Sequence, residues 1–560
     1  MPGAAGPADT VVVGRTVTLA GDAGLGWVEG LAIRGDRIIA AGSRQLVEGA
    51  AGPRTRRIEL APDEVALPGL TDSHLHLAEA AIAADAVQLA DVATLEDALA
   101  TVRAAHEAAP AGTWLTGHGW SADRWGGWPT ATQLETAAPG RRVAFWAHDH
   151  HAMWVSSAAL SLAGLGSGSV DPAGGAIRRD DHGQPTGILH EAATSLVSSL
   201  VPAPTAADYE VALPRLCREL VALGVVAAHD PGLLRPDPLL DAAHVAYGSL
   251  DDAGRLPIRV LASLRAEALD GAIERGVRSG HPLGSDPDGA ARVGWLKLFA
   301  DGSLGSRTAA MLEPFEPDPR LDGGGSGGVS GGADRGIWIT PPEQLRSLAS
   351  RAAAGGIATQ IHAIGDAAAR AALDAFEPSS TRALRFRARI EHAQLVAPAD
   401  LPRFGRLGIV ASVQPVHLRT DADMARLAWG SRAERSSYAW RSLLDGGAVL
   451  AFGTDAPVEP INPWPGLAMA ITRRWPAWPV GSVAFGPGEA LTLDQVLRGA
   501  CLGPAIAEGS SDRGRLAAGQ RADLVVVPGA GFRATIEPGG LLATTRPRLV
   551  LIGGKVAFEA

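Results

Sequence analysis

Residues 65–76, VALPGLTDSHLH, place two histidines directly after a short apolar run. Residues two apart on a β-strand point to the same side, so His74 and His76 at a strand end can reach one cation. A His-x-His pair is a weak signal by itself, because solvent-facing and hydrogen-bonded histidine pairs are common. The segment therefore predicts a metal site only if further ligands follow comparable strands.

Short apolar runs recur along the chain, as expected for strands buried on both faces of a parallel sheet. Helix-like segments separate most of them, and the clearest starts with Thr340 as N-cap and Pro341 at the first helical position. We predict eight strands, at residues 65–70, 224–228, 258–263, 293–299, 357–362, 389–392, 409–414 and 449–453. Eight such units favour an α/β fold of the TIM-barrel type, (β/α)8. A doubly wound sheet is the alternative, although no glycine-rich phosphate motif follows the first strand.

Both ends of the chain read as short strands and turns, and neither end could bury a sheet face alone. We predict that residues 1–64 and 506–560 join into one composite β-sandwich beside a barrel domain of residues 65–505. The interval after the first strand is too long for a simple crossover, so residues from about 78 to 205 are expected to form an inserted subdomain. The glycine-rich stretch 321–336 is expected to form a loop at the barrel rim, either an expanded loop or a lid.

Composition restricts the class of protein. Acidic residues outnumber basic ones, 60 to 50, which disfavours a nucleic-acid partner. The two cysteines, Cys217 and Cys501, lie far apart and suggest buried thiols in a reducing compartment. Since no secretory signal or membrane-spanning apolar run is visible, we expect a cytoplasmic protein without a membrane partner.

Active sites of TIM barrels lie at the C-terminal ends of the strands. Most of the predicted strands end in, or contain, a metal-competent or ionisable residue: His74, His76, His229, Asp230, Lys297, His362, His392 and Asp455. Burial lowers the pKa of a lysine such as Lys297, and the neutral amine can take up carbon dioxide to form a carbamate that bridges two cations. An ion pair between Lys297 and Asp301 or another carboxylate is the alternative. Asp455 can contact a metal and accept a proton from metal-activated water, or it can simply cap the next turn.

Tryptophan is concentrated in the predicted insertion, which holds six of the 14 tryptophans of the chain. These side chains either form the core of a small subdomain or line a wall that contacts an apolar substrate. Trp120 and Trp154 are the candidates for substrate contact.

Nine segments together give a far more specific signal. The chain resembles the amidohydrolase superfamily, and within it the amidohydrolase-3, YtcJ-like group that includes N-substituted formamide deformylases. The segments that carry the resemblance are PGLTDSHLHL (68–77), HHAMWVSSAAL (150–160), GILHEA (187–192), WLKLFADGSLGSRTAAMLEPF (295–315), QIHAIGDAA (360–368), RIEHAQ (389–394), SVQPVH (412–417), FGTDAPVEP (452–460) and GQRADLVVV (519–527).

The resemblance implies a role for each strand-end residue. His74 and His76 would bind the more buried metal, His362 and His392 the second, with Lys297 as carboxylated bridge and Asp455 as metal-bound acid and base. Zinc is expected because imidazole and carboxylate ligands suit it, with iron, manganese or nickel as alternatives. A single metal held by His74, His76 and Asp455 is the mononuclear alternative, and Glu191 is the alternative bridge. The residues expected to line the substrate site are His151, His229, Asp301 and Arg307.

The predicted activity is metal-dependent hydrolysis of a non-peptide C–N bond in an N-substituted amide or formamide that has an apolar or aromatic part. The alternative at the same site is a cyclic amide, a carbamate, or an ester or lactone. A non-catalytic binding protein would have lost ligands, and none of the expected positions is missing. A nucleic-acid deaminase would need a basic surface that the chain lacks. The resemblance also makes a homodimer the expected assembly.

Overall fold

The structure, a computed structural model, describes residues 6–89, 92–110, 112–147, 152–172, 175–232, 241–305, 307–317, 335–475, 477–479, 481–529 and 542–560. The chain divides into two compact units. The main unit is Met1–Ala80 with Leu213–Ala560, and the inserted unit is Ala81–Ala212. Most of the glycine-rich stretch 321–336, for which we predicted a rim loop, lies outside the described residues.

The core of the main unit is an eight-stranded, all-parallel sheet in which each strand pairs with the next one along the chain. Its strands, here barrel strands 1 to 8 in chain order, are Leu70–Asp72, Val225–Asp230, Arg259–Arg265, Ala291–Phe299, Thr359–Ala363, Arg389–His392, Val410–Val413 and Val449–Phe452. Just beyond strand 1, the Ser73 N–H donates a hydrogen bond of 2.9 Å to the Phe452 carbonyl at the end of strand 8. The sheet is therefore nearly closed, and the predicted TIM-barrel core is confirmed.

The predicted first strand, residues 65–70, is wrong as a single barrel strand. Glu64–Pro68 pairs antiparallel with Leu524–Pro528 in a different sheet, and the barrel begins only at Leu70. Gly69 separates the two elements, and a Cβ there would lie 2.6 Å from Cγ1 of Val226 on barrel strand 2. Residues 65–70, VALPGL, read as one unbroken apolar run, so composition alone does not reveal that the run is divided between two sheets.

The helix predicted to start after a Thr340 cap begins one residue later. Pro341 is the N-cap, with ψ of 151°, and the helix is Pro342–Ala354. A residue that precedes a proline is disfavoured from the α conformation, so Pro342 keeps Pro341 extended and itself takes the first helical position.

Strands from both ends of the chain form one second sheet in the main unit. Its strands are Ala8–Val17, Trp27–Arg34, Arg37–Gly42, Ala51–Glu59, Glu64–Pro68, Leu524–Pro528, Leu549–Ile552 and Lys555–Glu559. Buried side chains from both ends, including Val12, Leu31, Leu524 and Leu551, pack into one apolar cluster. The sandwich form and the division into residues 1–64, 65–505 and 506–560 stay predictions.

The inserted unit contains a six-stranded sheet of Val87–Gln88, Leu115–Trp120, Val143–Ala147, Ala152–Val155, Gly175–Arg179 and Pro185–Glu191. Trp120 and Trp154 are 1% and 0% exposed and belong to its apolar core. Their indole N–H groups donate to the carbonyls of Phe145 and Thr130, at 2.8 and 2.9 Å. The core interpretation accounts for both tryptophans, and their contact with substrate stays a prediction.

The α-helices are Arg44–Gly49, Leu77–Asp85, Leu95–Ala108, Ala122–Trp125, Ala131–Ala137, Ser157–Leu162, Ser195–Ser198, Ala206–Ala222, Asp241–Asp252, Leu269–Glu274, Pro342–Ala354, Asp366–Ala375, Leu401–Leu407, Leu418–Trp429, Ser431–Ser436, Trp440–Asp445, Pro463–Thr472, Leu493–Leu497 and Gly503–Ala507. A π-helical turn covers Arg498–Leu502. Short 3-10 helices cover Ala192–Thr194, Ala266–Ala268, Ser379–Arg382, Pro415–His417 and Pro487–Glu489. Within the described ranges, no helix combines the length and the apolar character that a membrane crossing requires.

Candidate metal centre

Three of the predicted ligands converge where barrel strands 1 and 8 end. The Nε2 atoms of His74 and His76 each lie 3.3 Å from Oδ1 of Asp455, and all three side chains are buried. Ligand atoms of these residues are close enough together to hold one cation. The structure therefore brings together the first predicted ligand set, including the mononuclear alternative.

Local sequence explains how the two strand ends come so close. A Cβ on Gly453 would lie 2.5 Å from the backbone nitrogen of His74, so a larger residue would push the strands apart. The buried carboxylate of Asp72 accepts hydrogen bonds from the His74 N–H and from the N–H and hydroxyl of Thr454. Asp72 therefore ties the chain just before His76 to the chain just before Asp455.

The second predicted pair lies beside the first. The ring centroids of His362 and His392 are 4.5 Å apart, and that of His392 is 5.0 Å from His74. His392 and Asp455 both have a left-handed backbone, with φ of 69° and 61°. A left-handed backbone is energetically unfavourable for residues other than glycine, and such backbone strain is concentrated at functional sites.

Each of the four histidines has one ring nitrogen occupied by an oxygen acceptor. The pairs are His74 Nδ1 with Glu391 Oε2 (2.5 Å), His76 Nδ1 with the Gly232 carbonyl, His362 Nε2 with the Gly302 carbonyl (2.8 Å), and His392 Nδ1 with Gln414 Oε1 (2.9 Å). An oxygen acceptor requires a hydrogen on the nitrogen it faces, so in a neutral ring the other nitrogen carries a lone pair. This is the arrangement by which proteins orient metal-binding imidazoles.

The pKa values of the second pair agree with neutral rings. Burial lowers the pKa of His362 to about 3 and holds that of His392 well below its usual value. For His76, burial also lowers the pKa, but the nearby Asp455 carboxylate outweighs it and the net pKa is raised. A proton and a cation therefore compete for Nε2 of His76.

Lys297 lies inside barrel strand 4 and is 1% exposed. Burial lowers its pKa to about 8, against the opposing charges of Glu391 and Asp455. Nζ of Lys297 has no hydrogen-bond partner among the described residues, so the predicted alternative, a pair with Asp301 or another carboxylate, is not observed there. The Asp301 carboxylate instead accepts hydrogen bonds from the backbone N–H groups of Ala310, Ile364 and Gly365. Lys297 is thus a buried amine of reduced basicity.

Three buried polar atoms show whether the site suits a metal cation: His74 Nε2, Lys297 Nζ and Asp455 Oδ1. None of them has a hydrogen-bond partner among the described residues. Unpaired buried polar groups are costly and rare in folded proteins, except where a ligand or ion satisfies them. One imidazole nitrogen, one carboxylate oxygen and one amine able to form a carbamate suit a transition-metal cation.

Glu391 and Arg389 support the centre from inside the barrel, and both are fully buried. Arg389 donates to Glu391 at 2.9 Å and to the Ser73 carbonyl at 2.6 Å. Burial alone raises the pKa of Glu391, but the positive charge of Arg389 and the hydrogen bond from His74 outweigh it and hold the pKa well below its usual value. Glu391 therefore stays ionised and strengthens the electron donation of the His74 ring.

The structure places the residues predicted to line the substrate site in different surroundings. His229 is buried in the barrel, where its Nδ1 lies 2.8 Å from Arg389 Nη1 and its ring contacts Trp295. Asp301 is fully buried, 3.6 Å from Nε2 of His362, whereas Arg307 binds the Glu316 carbonyl. His151 and the side chain of Glu191 lie outside the described residues. The substrate contacts of these residues, and a bridge by Glu191, stay predictions.

Sequence reasoning missed Arg389, Glu391 and His417 as site residues. All three lie in segments that carried the resemblance, RIEHAQ and SVQPVH. The rule that joined His74 to His76 would have found the first two, since charged residues two apart on a short buried strand point to the same side. The rarity of lysine is a further signal for Lys297, because the 560-residue chain has only two lysines, Lys297 and Lys555.

The sequence model described as "Amidohydrolase family" matches residues 61–558. The chain belongs to the amidohydrolase family. Among curated relatives, it is 33% identical to Protein LONG AFTER FAR-RED 3 of Arabidopsis thaliana, over 93% of this chain and 87% of that protein. It is 28% identical to the putative amidohydrolase YtcJ of Bacillus subtilis, covering 92% and 93%. It is also 28% identical to the N-substituted formamide deformylase of Arthrobacter pascens, covering 88% and 89%.

A solved structure extends this comparison to the fold. An uncharacterized metal-dependent hydrolase from Pyrococcus furiosus superposes with a TM-score of 0.74 at 26% identity, covering 93% of this amidohydrolase and 98% of that chain. Family and structural neighbour agree with the strand-end histidines, so the protein is a metal-dependent hydrolase that acts on carbon–nitrogen bonds.

Proposed function

We propose that this amidohydrolase cleaves the C–N bond of N-substituted amides, with N-substituted formamides as the preferred class. The observation that carries the proposal is the convergence of four histidines, each with one oriented ring nitrogen, on Asp455 and Lys297 at one end of the barrel. The similarity to a formamide deformylase over 88% of the chain supports the choice of substrate class.

We propose zinc as the metal, in one or two copies. His74, His76 and Asp455 would hold the first ion, and His362 and His392 the second. When bound, zinc polarises a substrate carbonyl and lowers the pKa of a water molecule to about 7. A neutral Lys297 amine can attack carbon dioxide and lose one proton to form a carbamate, which would give the metal centre an anionic oxygen ligand.

Asp455 is the proposed acid and base. Burial raises the pKa of its carboxyl group, but the nearby His74 ring and the hydrogen bond from His417 outweigh burial and hold the pKa well below its usual value. Asp455 therefore stays ionised at neutral pH and can accept a proton from the attacking water. It then returns that proton to the leaving amine.

An apolar substituent on the substrate nitrogen is supported by the barrel rim. Ile337, Trp338 and Ile339 are 54%, 39% and 54% exposed. The Ile339 N–H donates to the Ala300 carbonyl and Trp338 pairs with Asp301, directly after barrel strand 4. An exposed apolar run this close to a buried polar site is suited to hold the apolar part of a small molecule.

A substrate panel with one variant tests the proposal. We expect the metal-loaded protein to hydrolyse N-formyl amines faster than longer-chain amides, and lactones least. Asp455→Asn should keep most of its metal, measured by elemental analysis, and lose turnover. Asp445→Asn is the matched control, because that carboxylate is 68% exposed and pairs only with Arg441 in the described salt bridges. Wild-type rates for Asp455→Asn would contradict the assignment, and activity on lactones alone would move the substrate to the ester class.

A further inference from the structure

His417 is a further histidine at the metal centre, and no ligand role was predicted for it. It ends the 3-10 helix Pro415–His417 just after barrel strand 7 and is 7% exposed. Its Nε2 lies 3.0 Å from Oδ2 of Asp455, and its Nδ1 lies 3.7 Å from Oε1 of Glu459. The ring therefore sits between two buried carboxylates.

His74 also lies between two carboxylates, but its Nε2 makes no hydrogen bond to a described residue, whereas Nε2 of His417 is hydrogen-bonded to Asp455. A nitrogen 3.0 Å from a carboxylate oxygen must carry a hydrogen, because otherwise two lone pairs would face each other. The second nitrogen also faces a carboxylate, so neither nitrogen of His417 is set up to give a lone pair to a cation. His392, His417 and Asp455 have the spacing of a metal-binding group, but the hydrogen bonding makes His417 a donor to Asp455.

The outer carboxylate is itself held in place. Glu459 is 5% exposed, and Nη2 of Arg419 lies 2.8 Å from its Oε2. The Thr420 hydroxyl donates to its other oxygen, at 3.4 Å. Glu459 can therefore fix the rotation of the His417 ring from the side away from the metal centre.

The two oxygens of Asp455 are consequently divided between different partners. Oδ1 faces His74 and His76, at 3.3 Å from each Nε2, whereas Oδ2 receives the hydrogen bond from His417. We propose that His417 is a positioning residue that restricts Asp455 to one oxygen toward the metal ligands and fixes the carboxylate for proton transfer. This inference rests on the role proposed above for Asp455.

The test compares His417→Ala with His417→Gln in the metal-loaded protein. We expect His417→Ala to keep the wild-type metal content, to lower kcat about 10- to 100-fold, and to change KM less than about threefold. The Gln side chain places an N–H near the position of Nε2, so His417→Gln should regain most of the lost kcat. In cobalt-substituted protein, His417→Ala should alter the visible spectrum, since a freed carboxylate can use both oxygens. His281→Ala, at an exposed histidine of the same unit, should change none of these quantities.

Three results would overturn the inference: loss of metal in His417→Ala, which would make His417 a ligand; unchanged kcat in that variant; or no recovery in His417→Gln. If circular dichroism shows that His417→Ala does not fold, Glu459→Gln takes its place. We expect a smaller fall in kcat for Glu459→Gln, and an unchanged kcat would exclude the positioning role of His417. An inactive Asp455→Asn beside a fully active His417→Ala would remove only this inference. A fully active Asp455→Asn would remove the proposed function as well.

Discussion

Nδ1 of His74 lies 2.5 Å from Oε2 of Glu391, although 317 residues separate them in the chain. Glu391 is in turn held by Arg389, so a continuous series of buried polar contacts leads from the barrel interior to a proposed metal ligand. This pairing explains why the Arg389 guanidinium and the Glu391 carboxylate are tolerated inside buried barrel strand 6. Each partner offsets the desolvation cost of the other, and His74 gains a fixed orientation.

We predict that Glu391→Ala weakens metal binding and destabilises the fold. Removing one member of a buried ion pair leaves the other charge unpaired, which costs about 3–5 kcal/mol in the free energy of unfolding. Loss of the acceptor for His74 should also lower metal affinity about 10- to 100-fold. Denaturant melts and chelator competition measure the two effects. Glu377→Ala, at a 44% exposed carboxylate that pairs with Arg403, should cost less than about 1 kcal/mol. Equal losses in both variants would contradict a special role for Glu391.

We predict that Lys297 carries a carbamate in the metal-loaded protein. With only two lysines in the chain, carbon-13 NMR after incubation with labelled bicarbonate can assign the signal directly. The signal should persist in Lys555→Arg, because Lys555 is exposed, and should vanish in Lys297→Met. Lys297→Ala should lose one metal equivalent and regain part of its activity in added acetate or propionate, whose carboxylate can occupy the space of the carbamate. A labelled signal that depends on Lys555 would refute the assignment.

Removal of the metal should abolish hydrolysis and lower thermal stability. A ligand that binds only the folded state stabilises it by about 2.7 kcal/mol when its free concentration is one hundred times Kd. We therefore expect the melting temperature to fall after chelation and dialysis, and to recover with activity when zinc is added back. Metal-free protein, verified by elemental analysis, that still hydrolyses its substrate at the full rate would exclude a metal-dependent mechanism.

The two cysteines should be inert in the native protein. Burial raises the pKa of the Cys217 thiol to about 12 and that of Cys501 further still. At pH 8 almost no thiolate is present, and neither sulfur is exposed to a reagent. A disulfide reagent such as DTNB should label neither thiol until denaturant unfolds the main unit, and then both. Rapid labelling of either cysteine under native conditions would mean that its segment opens locally.

Several parts of the barrel could be predicted because they depend on local chemistry. Strands buried on both faces must be apolar, so seven of the eight predicted runs overlap barrel strands 2 to 8. The first failed because residues 65–70, VALPGL, form one apolar run that is divided between two sheets, with Glu64–Pro68 in one and Leu70–Asp72 in the other. The proximity of the candidate ligands His74, His76, His362, His392 and Asp455 could be predicted because barrel topology brings strand ends together.

What could not be predicted depends on contacts between distant segments. The contact of His74 with Glu391 joins residues 317 positions apart in the chain, and the hydrogen bond from His417 to Asp455 joins residues 38 positions apart. Both contacts depend on tertiary packing, which the local sequence does not show. Trp120 and Trp154 show the same limit, because a cluster of tryptophans has the same composition whether it forms a core or a binding surface. Only the burial of each indole, and the carbonyl that accepts its N–H, distinguishes the two.

The sheet shared by the two ends of the chain has a consequence for synthesis on the ribosome. Glu64–Pro68 pairs with Ala8–Val17 on one side and with Leu524–Pro528 on the other. At roughly 5–20 residues per second, its second neighbour is translated on the order of half a minute to a minute and a half later. During that time an apolar strand edge is left open, which is the kind of surface that recruits other nascent chains or a chaperone. The last strands of this protein thus cover the edge of Glu64–Pro68 late in synthesis. Premature termination before Leu524 would leave that edge permanently available for aggregation.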